Sequence, residues 1–213
     1  MSEEVVRGET VTVRFNGRKC IHSRGCVLGF PQVYVPNVKG DWIHPDAASA
    51  DVVMHTALNC PSGAIRVAYN DGSQTSDTPP PVNTIRVREN GPISIEAELL
   101  VRGEKQDSPR ATLCRCGLSQ RKPFCDGSHT AGGFVASGEP EAKPAEALTV
   151  RNGPVDVIPQ KNGSLKIVGN LEIVSGTGRT INKASQAFLC RCGHSKNKPY
   201  CDGSHKAAGF EAD

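Results

Sequence analysis

The chain has 213 residues, a formal net charge of +3, 37% hydrophobic and only 5% aromatic residues, with 22 glycines and 15 prolines. That composition argues against one large apolar core and for small, loop-rich modules held by something besides hydrophobic burial, such as bound metal. It carries no long basic run or basic–aromatic stripe and no apolar stretch of about 18 residues, so neither a nucleic-acid partner nor a membrane span is expected.

Met1–Val13 is charged and short of apolar residues, unlike a secretory signal. The nine cysteines are an odd count for a full set of disulfides, and they fall as three before residue 61, three in Cys114–Cys125 and three in Cys190–Cys201. In a reducing compartment, clustered cysteines are more often metal ligands. A soluble, cytoplasmic protein is expected.

Residues 1–70 form the first expected module. Cys20–Cys26 reads CIHSRGC, and Cys60 is followed by Pro61 in NCPSGAI. Asp46–Leu58 is the best helix candidate of the chain. Trp42 is expected in the core, and His44 and His55 are read as ordinary surface or helix residues. The pattern C-x5-C…C-P resembles single-cluster ferredoxins and divergent mono-cluster ferredoxin modules, with Ser23 where a middle cysteine would stand. The resemblance implies a cluster on Cys20, Cys26 and Cys60. Three thiolates match a [3Fe–4S] cluster. A [4Fe–4S] cluster would need a fourth ligand, for which Ser23 and His22 are poorly placed. Loss of the metal, leaving a protein-binding domain, is the bland alternative.

Two polar linkers follow, Asp71–Asn83 with three consecutive prolines and Ser137–Glu146. Both compositions favour extended, unpacked chain. They separate residues 82–136 from residues 147–213. Short strands are expected at Ile85–Val87, Ile93–Glu96, Leu148–Val150, Val155–Ile158, Leu165–Val168 and Leu171–Val174.

Cys114–Phe134 and Cys190–Phe210 are near-copies, identical at 15 of 21 positions and 76 residues apart. Upstream, Arg88–Pro92 resembles Val150–Pro154 at an offset of 62, which gives the second copy about 14 extra residues, expected around Gln160–Leu165. Each copy has the spacing C-x-C-x8-C-x3-H. Cys114 and Cys116, one residue apart on extended chain, can reach one iron of a [2Fe–2S] cluster. Cys125 and His129, around a helix start, can reach the other. Pro123 and Pro199 would stiffen the loop between. Asp126 and Asp202 are expected as N-caps whose helices turn positive dipole toward an anionic cluster. Gly127 and Gly203 are expected to allow close backbone approach. Spacing alone leaves a structural zinc site open.

The string C-x-C-x2-S-x3-P-x-C-D-G-S-H resembles the signature of the CDGSH iron–sulfur family, the NEET proteins. Both copies match it throughout: Cys114, Cys116, Ser119, Pro123, Cys125–His129, then Cys190, Cys192, Ser195, Pro199, Cys201–His205. The resemblance implies two redox-active [2Fe–2S] clusters, on Cys114, Cys116, Cys125 and His129 and on Cys190, Cys192, Cys201 and His205. It also implies a β-rich fold usually paired two-fold. The expected fold class is therefore α+β: a ferredoxin-like module followed by two β-rich CDGSH modules forming a pseudo-two-fold unit, a monomer with an internal pseudo-dimer. Some family members carry a membrane anchor, and that location is not carried over. A neutral imidazole ligand raises the reduction potential, and its protonation near neutral pH would weaken its hold on iron.

The leading expectation is an electron carrier, not an enzyme, acting on a redox partner protein. No nucleotide-binding, nucleophile-elbow or zinc-protease motif is present. The alternatives are cluster storage, transfer to an apo iron–sulfur acceptor or redox sensing, and a zinc-stabilised interaction module. Arg115, Arg121, Lys122, Arg191, Lys196 and Lys198 could dock an acidic partner or simply be solvated.

Overall fold

A computed structural model describes residues 3–213. The chain divides into two compact units, Met1–Thr78 and Pro79–Asp213. Sheet dominates and helices are few and short, as an α+β reading requires.

In the first unit, β1 (Glu4–Arg7), β2 (Val11–Phe15) and β3 (Ile65–Tyr69) pair antiparallel in that order. Alternation along β2 and β3 turns Val11, Val13, Ile65 and Val67 to one buried face. Between the strands lie α1 (Gly25–Gly29) and α2 (Ala50–Leu58). The helix expected over Asp46–Leu58 is broken: Pro45–Ala47 is a single 3-10 turn, and Ser49 is extended before α2 begins. α2 buries Val53, Met54, Thr56 and Ala57 over the sheet, and the Tyr34 and Thr56 hydroxyls share a hydrogen bond of 2.8 Å. Trp42 is half-buried, edge-on to Phe15 at 4.7 Å. His44 and His55 are exposed. The segment after Asp71 is not unpacked: Ser76 is fully buried, and its N–H donates to the Val67 carbonyl at 2.8 Å.

The second unit is one eight-stranded sheet. Its strands are β4 (Thr84–Val87), β5 (Ile93–Glu96), β6 (Glu98–Val101), β7 (Glu104–Lys105), β8 (Arg110–Leu113), β9 (Pro154–Pro159), β10 (Leu165–Val174) and β11 (Thr180–Leu189). The order is β7-β6-β9-β10-β4-β5-β8, with β11 also on β10. Leu148–Val150 is not a strand, and Val150 is exposed; it has no strand neighbour to complete a ladder.

The two copies trade strands. β6 of the first pairs parallel with β9 of the second, Leu99 opposite Val155. β10 of the second pairs parallel with β4 of the first, Ile173 opposite Ile85. All four side chains are buried in a core shared by both copies. The upstream match is corrected. β4 and β5 join with Val87 opposite Ile93, as β9 and β10 join with Pro159 opposite Leu165. The counterpart of Arg88–Pro92 is therefore the turn Gln160–Ser164, 72 residues on, and not the look-alike Val150–Pro154. β5–β8 and β10–β11 place Leu113 and Leu189 equivalently, at the offset of 76. The second copy is thus four residues longer, not 14, and the excess lies in the turn after Val174, between β10 and β11.

The second linker is also held. The Gly176 N–H donates to the Gly138 carbonyl at 2.8 Å and the Lys143 N–H to the Ile181 carbonyl at 2.7 Å. The Lys143 ammonium stands 3.8 Å over the Tyr200 ring.

Candidate metal centres

Strand β8 runs directly into Cys114–Cys116, and β11 into Cys190–Cys192. Alternation along this extended stretch sends both cysteines of each pair to one side, and their sulfurs stand 3.8 Å apart in both copies. The loop that follows folds back. The Cys114 N–H donates to the Pro123 carbonyl and the Cys190 N–H to the Pro199 carbonyl, both at 2.8 Å. The Ser119 hydroxyl donates to the Phe124 carbonyl at 2.7 Å, and Ser195 to Tyr200 at 2.6 Å. Those bonds fix the signature serine as the brace of the loop.

The loop brings round the second pair. Cys125 Sγ lies 3.4 Å from His129 Nδ1, and Cys201 Sγ lies 3.4 Å from His205 Nδ1. The helices are single turns, α3 (Ser128–Ala131) and α4 (Ser204–Ala207). Their N-caps are Gly127 and Gly203, at φ +91° and +89°, one residue after the expected aspartates. These glycines serve left-handed backbone, and a side chain on Gly203 would meet open space. Asp126 instead accepts from the Ser128 N–H at 3.0 Å and the Gln120 N–H at 2.8 Å. With one turn of helix the dipole is slight. The local polarity comes from N–H groups aimed at sulfur: Leu118 to Cys116, Gly127 to Cys125 and His194 to Cys192, each at 3.4 Å.

Close approach belongs to Gly117 and Gly193. A Cβ on either would stand 2.5 Å from the carbonyl oxygen of the other copy's cysteine, Cys192 and Cys116 respectively. Those two cysteines also pair as an antiparallel bridge.

The inner cysteines Cys114 and Cys190 are 0% and 1% exposed, whereas His129 and His205 are half-buried. The hydrogen bond from Cys116 pulls the Cys114 thiol down to about 6 and pushes Cys116 up. Burial pushes Cys125 up to about 11 and pulls His129 down. Burial raises Asp126, but the Ser128 and Gln120 hydrogen bonds outweigh it and hold its pKa at about 2. Crowded buried thiols that resist ionisation together are what a bound cation relieves.

In the first unit, Cys20 follows the turn at Asn16–Lys19, Cys26 lies in α1, and Cys60 follows α2. Burial raises the Cys26 thiol, and charge on Cys60 and Cys20 adds to the rise. The His22 N–H donates to Cys20 Sγ at 3.4 Å. Ser23 is exposed. Among the described residues no cysteine forms a disulfide. Among the described residues no three His, Cys, Asp or Glu side chains converge closely enough to hold a single metal ion, and the donors of each CDGSH site stand as two pairs. Two-iron clusters fit that donor set, one pair to each iron.

The residues that sequence reasoning misplaced are Arg115 and Arg191. They are not docking groups: they are 1% and 0% exposed. Their position between two same-sided cysteines, which turns them to the opposite face, was the available signal. Among the described residues no helix is long and apolar enough to cross a membrane.

Comparison with known proteins agrees with this geometry. Residues 85–130 and 162–206 match the family described as iron-binding zinc finger, CDGSH type. Residues 6–70 match the family described as divergent 4Fe–4S mono-cluster. The uncharacterized protein YjdI of Escherichia coli strain K12, and its counterpart in strain O157:H7, are each 38% identical over 63 residues, which is 29% of this chain and 80% of theirs.

Proposed function

This chain belongs to the CDGSH iron-binding family, with a divergent mono-cluster module ahead of two CDGSH modules, and from that premise we propose that it is an electron carrier and not an enzyme. The observation that carries the reading is the arrangement of donors as one Cys–Cys pair and one Cys–His pair in each repeat. Cys114, Cys116, Cys125 and His129 hold one [2Fe–2S] cluster, and Cys190, Cys192, Cys201 and His205 the other. Cys20, Cys26 and Cys60 hold a third, whose three thiolates suit [3Fe–4S], while the matched family's description names 4Fe–4S. Such clusters supply one-electron couples.

The protein's own groups do the rest. The cysteine pairs bury the inner side of each site, N–H groups offset negative charge on sulfur, and the half-exposed histidines form the side open to a partner. The traded strands support a pseudo-two-fold unit within one chain, acting as a monomer in the cytoplasm, whose reducing conditions suit nine cysteines outside disulfides.

Iron and sulfide analysis, with electron paramagnetic resonance before and after reduction, tests this. Two [2Fe–2S] signals and one further cluster, reduced and reoxidised without loss of iron, are expected. A colourless zinc protein would overturn it. The half-exposed Cys201–His205 edge favours a second reading, cluster delivery. Mixing the holo-protein with an apo-ferredoxin separates the two, because rapid movement of clusters would make delivery the function.

A further inference from the structure

The two copies of the second unit meet unequally at one place. An open cleft of about 410 Å³ lies between the tail of the first copy and the ligand loop of the second, lined by Val135, Ser137, His194, Lys196 and Lys198 among others. Asn90 fixes that tail: its N–H donates to the Ala136 carbonyl at 2.9 Å, and its side chain accepts from the Ala136 N–H at 3.0 Å. Asn162 holds the second copy's tail in the same way, through Ala212 at 2.7 and 2.9 Å. The first copy's ligand loop in turn reaches the second tail, with the Lys122 ammonium 5.8 Å from the centre of the Phe210 ring. The cleft therefore has a counterpart, made of Leu118–Lys122 and Phe210–Asp213.

The two places differ in charge. Lys196 and Lys198 stand in the cleft where its counterpart has Gln120 and Lys122, and His194 stands where it has Leu118. The tail beside them, Val135-Ala136-Ser137, is uncharged, whereas the counterpart tail reads Glu211-Ala212-Asp213. Arg121, an extra cation of the first loop, turns back to the Cys125 carbonyl at 3.4 Å. Among the described residues no carboxylate lines the cleft. Two carboxylates close by in sequence are already held. Asp202 accepts from the Lys196 and Ser204 N–H groups at 2.8 and 3.0 Å. Glu139 accepts from the Thr177 N–H at 2.9 Å and pairs with Arg179 at 3.8 Å. Lys198 braces its own loop by donating to the Ser195 carbonyl, while His194 and Lys196 are exposed. Val135 is 81% exposed, so it adds nothing to the chain's own core. Exposed cations around an exposed valine suit contact with a second surface better than enclosure of a small anion.

We propose that this cleft docks an acidic protein, the electron-transfer partner of the chain, with carboxylates of the partner on Lys196 and Lys198 and an apolar contact on Val135. The proposal rests on the electron-carrier reading above. It brings the partner to the second module, because Asp202 ties the Lys196 backbone to the turn that carries His205. Opposite charge speeds the encounter and orients the pair, and contacts between redox proteins are small and brief. One electron passes between partner and cluster, one being oxidised as the other is reduced; no bond forms or breaks and no proton moves.

A reduced plant-type [2Fe–2S] ferredoxin, an acidic protein of low potential, serves as the probe. Stopped-flow absorbance follows its oxidation by the full, cluster-loaded chain, and the second-order rate should fall as salt rises. Lys196→Gln with Val135→Glu writes the counterpart's residues into the cleft. It should slow the reaction about tenfold at low salt and flatten the salt dependence. Lys105→Gln removes a lysine from β7, away from the cleft, and should change the rate by less than about twofold. Carbodiimide coupling and peptide mapping should join Lys196 or Lys198 to the ferredoxin. A thermal melt of each variant reports any loss of fold. Lys196→Gln alone exchanges one exposed side chain and should still slow the reaction about threefold should the double variant not fold. Equal slowing by Lys105→Gln, or coupling confined to lysines outside the cleft, would overturn the docking. So would a chain whose clusters dithionite reduces and the ferredoxin does not. Saturable binding of inorganic phosphate at fixed ionic strength, abolished by Lys196→Gln, would make the cleft a small-anion site instead. Iron and sulfide content of the unmodified chain is measured first, so absence of [2Fe–2S] clusters there is distinguished as failure of the functional reading.

Discussion

Gly117 meets Cys192 so closely that a methyl group on the glycine would stand 2.5 Å from the cysteine's carbonyl oxygen, and Gly193 meets Cys116 at the same 2.5 Å. The contact joins the ligand loops of two sites that lie 76 residues apart in sequence. It gives the first prediction. Both glycines hold left-handed backbone, φ +83° and +85°, which costs a residue with a side chain about 1–3 kcal/mol. Gly103, at φ +79° with open space where its Cβ would go, isolates that backbone cost. Gly103→Ala should lower the melting temperature by a few degrees. Gly117→Ala must also push two backbones apart, so it should lower the melt further and reduce iron content in both modules. Equal melts for the two variants would mean that the loops separate at little cost.

His129→Cys bears on the ligand assignment directly. Exchanging a neutral imidazole for an anionic thiolate places more negative charge on the iron it binds, and the potential should fall, on the order of 100 mV. Iron content should stay unchanged. His205→Cys should do the same to the second site. A potential unmoved by either exchange would show that the imidazole is not a ligand.

Stability toward acid should depend on Glu172. This buried carboxylate on β10 accepts from Arg151 Nε at 2.6 Å. That hydrogen bond, against the opposing effect of burial and with added charge from Arg151 and Lys183, holds its pKa below the ordinary 4.5. A carboxylate depressed in the folded state contributes stability above its ordinary pKa and loses it as pH falls through the folded value. Glu172→Gln should therefore melt below wild type at pH 7, and the gap should narrow from about pH 5 downward. Melts measured across that range, with a gap that stays constant, would assign the loss to packing instead of charge.

Local spacing made much of the sites legible, and distance hid the rest. Cys114 and Cys116 stand on one side because two residues of extended chain return to the same face, and Cys125 meets His129 because four residues of turn do likewise. The exchange of β6 and β10 left no such trace. Leu99 finds Val155, and Ile85 finds Ile173, across more than fifty residues of intervening chain, and parallel pairing at that range has no local signature. β11 reads TINKASQAFL, polar enough to pass for a loop, because much of it is exposed. RNGP at Arg151–Pro154 misled because a turn tetrapeptide is common currency, whereas the true counterpart, Gln160–Ser164, keeps only Asn-Gly. Arg115 and Arg191 were placed at the surface because arginine usually is there; only the fold, by offering four carbonyls to each, makes burial tolerable.

The remaining prediction concerns the first unit. Cys20, Cys26 and Cys60 are the proposed ligands there, and Ser23 lies exposed on the loop between the first two. If three thiolates hold a three-iron cluster, the missing corner faces a loop that lacks only a ligand. Ser23→Cys restores the C-x2-C-x2-C spacing, and after reconstitution it should gain about one iron per chain by converting [3Fe–4S] to [4Fe–4S]. The resonance of the oxidised three-iron cluster should disappear, and a new signal should appear only after reduction. The two CDGSH signals should stay as they are, since their ligands lie in the other unit. An unchanged iron count, with a signal already confined to the reduced protein before mutation, would assign a [4Fe–4S] cluster to the wild-type site and a non-cysteine group to its fourth iron.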